Sequence, residues 1–187
     1  MKKTVLTFGL IQGAVLSAML LITIPFWDTL GFDRSEIVGY TSMVLASLLI
    51  FFGVRSYRDN VAGGRMSFAR GLTVGLLIGV VGGVCYVVTW QLIQDRVAPD
   101  FMSKYSAHLI AEARADGQSE AEIAEMKTQL DKYAEMYRNP LIRAAWTFVE
   151  PLPVTLLMAL VAAGVLSRRE VGAQGSDRAM SNTRVLT

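Results

Sequence analysis

Across residues 70–93 the chain reads RGLTVGLLIGVVGGVCYVVTWQLI, an apolar run in which Gly71, Gly75, Gly79 and Gly83 recur at every fourth position. In water each glycine weakens a helix by about 1 kcal/mol relative to alanine, so four of them in one stripe argue against an ordinary surface helix. In hydrocarbon the balance reverses. No water is present there to satisfy a backbone amide, so the segment stays helical, and a face without side chains lets another helix approach at backbone distance. A phosphate-cradling loop is excluded, because the spacing continues through a membrane-length helix instead of following a strand. The predicted fold class is an all-α, polytopic membrane protein assembled around this helix by a glycine zipper.

Composition agrees, with 52% hydrophobic and 18% charged residues among 187 and a mean hydropathy of +0.40, too apolar for an ordinary soluble domain. Residues 4–27, 37–54 and 141–167 also have the length a transmembrane helix needs, which with 71–93 predicts four spans. Lys2 and Lys3 precede the first run, as in a signal peptide. That run outlasts the roughly 7 to 15 residues of a secretory h-region, so a retained helix is expected. Gly9 and Gly13, with Ser17 one step further, repeat the small-residue spacing, and this face is the expected mate of the third-span glycines. Such faces assemble either the bundle itself or a homo-oligomer. Pro151 and Pro153 are expected to kink or open the fourth span.

Residues 97–139 form the one long polar excursion. Phe101, Tyr105 and Leu109 share a helical face, Gly117 marks a stop, and Ser119 with Glu122 makes a capping box that restarts the helix. Ile123, Met126, Leu130, Tyr133 and Tyr137 then follow at alternating spacings of three and four. The two stripes predict an antiparallel helical hairpin. The membrane domain is expected over residues 1–169, and residues 170–187, rich in Gly, Ser and Arg, are expected to be a disordered cytoplasmic tail.

Arg55, Arg58, Arg65 and Arg70 crowd the connection between the second and third spans, while Lys2, Lys3, Arg168 and Arg169 lie near the two ends. The positive-inside rule then puts both termini and this basic rim in the cytoplasm and the hairpin outside, in the inner (cytoplasmic) membrane of a bacterium. Trp27, Tyr40, Tyr86, Trp90 and Trp146 are expected to form an outer aromatic belt. The rim suits anionic headgroups, at about 1 kcal/mol per basic residue, or a cytoplasmic protein, with Phe68 lying in the interface. A net charge of +2 gives no reason to expect nucleic acid.

The runs Gly39-Tyr40-Thr41-Ser42-Met43 and Phe51-Phe52-Gly53-Val54-Arg55-Ser56-Tyr57-Arg58-Asp59, then Gly64, Phe68 and Gly71, then Asn139-Pro140 and Glu150-Pro151, occur in that order. Taken together they resemble the bacterial integral-membrane family designated domain of unknown function 4199, over nearly the whole chain except the tail. The resemblance implies four transmembrane helices with an extramembrane insertion before the last. It implies no activity and no functional residues.

Glu150 is the charge with the strongest claim to function, since an ionisable group inside a span is a functional hypothesis by default. Counting back from Ser167 places it about 25 Å along the helix, near the outer interface, where it is expected to pair with Arg143, Gln91 or a freed backbone amide at the kink. Gln12 is expected to hydrogen-bond across to the third span. His108 and Glu112 share one helical face, a two-ligand pair too common to indicate a metal, and Cys85 is expected to be buried filler. No Walker A, HExxH, GxSxG or CxxC pattern occurs, so no catalytic residue, cofactor or metal is expected. Two readings remain. One is a non-enzymatic structural or interaction protein whose hairpin presents a partner surface; the other is a small transporter or channel subunit using Glu150, Gln12, Ser42 and Thr147 around a cavity. Convergence of those polar groups on one cavity discriminates between them.

Overall fold

The computed structural model describes residues 1–26 and 31–167. The regular elements among these residues are all helical, without a strand: α1 (Lys2–Thr23), which tightens into a 3-10 turn at Ile24–Phe26, α2 (Phe32–Asn60), α3 (Phe68–Val97), α4 (Phe101–Ala115), α5 (Glu120–Tyr137), α6 (Pro140–Val149) and α7 (Leu152–Ser167). Among the described residues four helical segments are long and apolar enough to cross a membrane: α1, α2, α3 and the pair α6–α7. Trp27, Asp28, Arg168, Arg169 and the tail expected to be disordered lie outside the described residues.

The helices overrun the runs that charge alone marks out. α2 and α3 have 29 and 30 residues, about 44 Å at 1.5 Å per residue, against a hydrocarbon core of about 30 Å. Charge sets where hydrocarbon ends; backbone chemistry sets where a helix ends. Gly63 and Gly64, both at positive φ, terminate the α2 side of the basic connection in a conformation that side chains resist. Phe68 opens α3 directly, with no separate interfacial helix before it.

The central helix is α3. An added Cβ at Gly71 or Gly75 would lie 3.2 Å from the Cα of Ala163 or Ala159, and Gly79 faces Thr155 in the same series. Numbers rise on α3 as they fall on α7, so the two helices are antiparallel. On another side of α3 an added Cβ at Gly9 would meet Val81 at 2.6 Å, Gly13 faces Cys85, and the Ser17 and Thr89 hydroxyls lie 2.7 Å apart, each pair 72 positions apart in the chain. Here both numbers rise together, so α1 and α3 are parallel.

This corrects the expected mating of Gly9 and Gly13 with the third-span glycines. At 100° per residue Val81 and Cys85 lie about 200° around the helix from Gly79 and Gly83, so α3 holds α1 and α7 on different faces. The partner of the glycine stripe is the small-residue face Thr155-Ala159-Ala163, while Gly83 abuts the Phe148 ring and Gly82 takes the Gln12 side chain. All these close approaches are made within one chain, and a second copy would need another face.

Ile50, Val54, Val74, Ile78, Ala159 and Ala162 are fully enclosed in the middle of the bundle. On α7 the small residues point inward while Leu156, Leu157, Val161 and Val165 stay exposed, and α1 likewise exposes Leu6, Leu10, Ile11 and Ile22. A soluble bundle does the reverse. Small residues at the contacts and large aliphatics on the outside are what a lipid-facing bundle requires.

Candidate functional site: a cavity beneath the helical hairpin

The site is assembled at the end of the bundle where α1 and α3 finish and α2 and α6 begin. The hairpin over it is built by local rules. Gly117, at φ 78°, closes α4 with bonds from its own N–H to the Arg114 carbonyl and from Gln118 N–H to that of Ala113, a Schellman motif. Ser119 then opens α5 with the reciprocal capping box expected of it. Hydrogen bonds from the Ser119 hydroxyl and backbone hold the Glu122 carboxyl below its ordinary range. Ala113 and Ile123 are buried where α4 and α5 meet.

The aromatic side of α4 faces the bundle as well as α5, where Phe101 meets the Tyr137 ring at 6.4 Å. Phe101, Tyr105 and His108 pack on Phe32 at the start of α2, the His108 ring stacked at 5.2 Å between centroids, and His108 Nε2 lies 2.9 Å from Asp33 Oδ1. Phe101 also meets the Trp90 ring edge-on at 5.5 Å. From α5, Tyr137 accepts a 2.6 Å bond from the Trp90 indole N–H, and Tyr133 and Tyr137 flank Trp146 of α6. Burial pushes the Tyr137 and Tyr105 hydroxyls above the ordinary tyrosine range, keeping both neutral. Each hairpin helix thus spends its apolar stripe on the bundle as well as on its neighbour.

Asn139 caps α6 by accepting from Leu141 N–H, and Pro140 occupies its first turn. Gln91 of α3 donates to the Pro140 carbonyl at 2.7 Å. Arg143, 7% exposed, bonds to Gln91, Gln94 and, at 2.9 Å, Asp95. Of the partners expected for Glu150, Gln91 bonds instead to Arg143 and the Pro140 carbonyl, and the alternative pairing of Arg143 with Glu150 is corrected. Seven residues separate them, about 10.5 Å along one face, beyond reach, whereas Asp95 projects from the adjacent α3. Glu150 instead accepts a long, 3.5 Å contact from the Tyr86 hydroxyl. The span breaks at Glu150–Pro151 as the prolines require: the imide nitrogens of Pro151 and Pro153 leave the Thr147 and Val149 carbonyls without their usual donors.

Between these elements lies a cavity of about 650 Å³, a size suited to a small organic ligand. Ser42, Thr147 and Glu150 all line it. Gln12 does not. Its side chain is buried against Gly82 and its Oε1 has no hydrogen-bond partner, so the expected bond across to α3 is absent from that oxygen. Tyr86 and Trp90, expected in an outer belt, are buried in the cavity wall, while Tyr40 and Trp146 are partly exposed. Four carboxylates face the space, Asp33, Glu36, Glu112 and Glu150, and no lysine or arginine lines it among the described residues. The enclosed core residues Ile50, Val54, Val74 and Ile78 do not line it.

The remaining candidates divide. Among the basic residues Arg55, Arg65 and Arg70 are exposed, but Arg58 is buried and bonded through Nε to Asp59 at 2.7 Å, which removes it from the free rim. Cys85 is half-buried beneath Gly13. No three His, Cys, Asp or Glu side chains converge on a metal position among the described residues. Sequence reading missed Asp95, Asp33, Glu36 and the small face of α7; for the last, the four-residue spacing of Thr155, Ala159 and Ala163 was the available signal.

Neither the curated proteins nor the solved structures contain a match to the chain. The profile described as Protein of unknown function (DUF4199) matches residues 7–168, from the first span through α7, with Gly39, Tyr40, Ser42 and Met43 of the resembling pattern in the cavity wall. With four apolar helices matched by one continuous profile, the chain belongs to the DUF4199 family.

Proposed function

We propose that this chain is a multi-pass protein of the bacterial inner membrane, with both termini cytoplasmic and the α4–α5 hairpin outside, that works as a non-enzymatic binding component. The observation that carries this reading is the single cavity that Ser42, Thr147 and Glu150 share beneath the hairpin. A space of this size walled by several helices, largely apolar with a few polar groups converging on it, is what a binding pocket needs. No nucleophile–base pair is assembled around it among the described residues. The hairpin, bonded to the bundle through His108–Asp33 and Tyr137–Trp90, is the element that occupancy would reposition and that a protein partner outside would read.

The same convergence supports a second reading, a small transporter or channel subunit using Glu150 and the broken fourth span. Its route is less complete. Gln12 lies away from the cavity, and Ile50, Val54, Val74 and Ile78 close the bundle beyond it.

Gly39 lines the cavity, and an added Cβ there meets nothing within 4 Å, so Gly39→Trp fills the space without disturbing a helix contact. Native mass spectrometry of both proteins released from membranes is the test. Wild type is expected to carry a small-molecule adduct that Gly39→Trp lacks; identical spectra from two equally monodisperse proteins would contradict the binding reading.

A further inference from the structure

We infer that the cavity takes an organic ammonium cation carrying an apolar body, an inference that rests on the binding reading above and names its ligand class. Charge is the first ground. Carboxylates enter from three elements: Asp33 and Glu36 on α2, Glu112 on α4 and Glu150 at the break of the fourth span. Asp33 Oδ1 lies 2.9 Å from His108 Nε2. Four carboxylates bordering one space favour a cation there and disfavour an anion.

The walls supply the second ground. Tyr40, Tyr86, Trp90, Tyr105, Tyr133 and Trp146 all border the space. Aromatic faces carry negative quadrupole density and attract alkylated ammonium groups, and they also bury hydrocarbon. An inorganic cation fits poorly, since no three ligating side chains converge among the described residues and rings offer no lone pair for coordination. A free anion or a phosphate is unmatched, because no lysine or arginine reaches the cavity among the described residues. Shape, charge and apolar wall together describe an amphiphilic amine, whether free or as the ammonium headgroup of a lipid.

The test uses two ions of equal size and opposite charge, tetraphenylphosphonium and tetraphenylborate, titrated by calorimetry into the full chain in nonionic detergent against protein-free micelles. The phosphonium is expected to bind saturably and the borate at least about tenfold more weakly, a ratio worth ~1.4 kcal/mol. The double variant Glu36→Gln with Glu150→Gln is expected to lose about tenfold for the phosphonium, while Glu125→Gln, on the exposed side of α5, leaves it unchanged. Phosphatidylethanolamine displacing the phosphonium identifies a lipid headgroup as the source; displacement by dodecylamine alone identifies a free amine. Equal binding of both ions would overturn the cationic assignment and leave the binding reading standing. Binding of neither ion, together with identical adduct spectra for wild type and Gly39→Trp, would overturn both.

Discussion

Gly79 and Gly164 are both helical glycines in membrane-length helices, yet they carry opposite structural meaning. An added side chain at Gly79 runs into Thr155, while one at Gly164 meets nothing within 4 Å. Gly79→Leu should therefore force α3 and α7 apart at a cost of about 1–3 kcal/mol or more. Gly164→Leu should be close to neutral, since it also removes a glycine from a helix interior. Heating each variant in detergent and following the monodisperse fraction distinguishes them: a clear loss for Gly79→Leu alone supports the close crossing, and equal behaviour contradicts it. Spacing made the Gly71–Gly83 stripe legible, but not its partner, because a period of four says that a face is bare without saying what covers it. Arg143 shows the same limit. Its place in the fourth span could be read from the sequence, whereas its salt bridge with Asp95 depends on how α3 and α6 cross, which no local pattern encodes.

Elements were more legible than contacts. The capping box at Ser119, the stop at Gly117, the start at Asn139-Pro140 and the break at Glu150-Pro151 all lie where their backbone chemistry requires, because each is decided within a few residues. The hairpin was foreseeable as two helices and a turn, but not that Phe101, Tyr105 and His108 would also reach Phe32 of α2. The parallel register of α1 on α3 has a simple check. In a Cys85→Ser background, Ser17→Cys with Thr89→Cys puts two thiols where hydroxyls lie 2.7 Å apart, and mild oxidation should give an intrachain disulfide. Val15→Cys with Thr89→Cys should give none, because Val15 lies on the exposed side of α1. A disulfide from the Val15 pair instead would mean that α1 turns another face to α3.

For the whole molecule, a membrane bundle could be read from composition, since four long apolar runs leave few other solutions. The cavity could not. Its walls come from α1, α2, α3, α6 and both hairpin helices, so it exists only once the hairpin has folded back over the bundle, and every inference about a ligand depends on that closure. The most direct measurement is a crosslink between the hairpin and α2 at the point where His108 Nε2 meets Asp33 Oδ1 at 2.9 Å. In a Cys85→Ser background, Asp33→Cys with His108→Cys should react with a short bismaleimide to give a fast-migrating single chain in native membranes. Failure to crosslink, or crosslinks formed only between two chains, would show that the hairpin does not close over its own bundle.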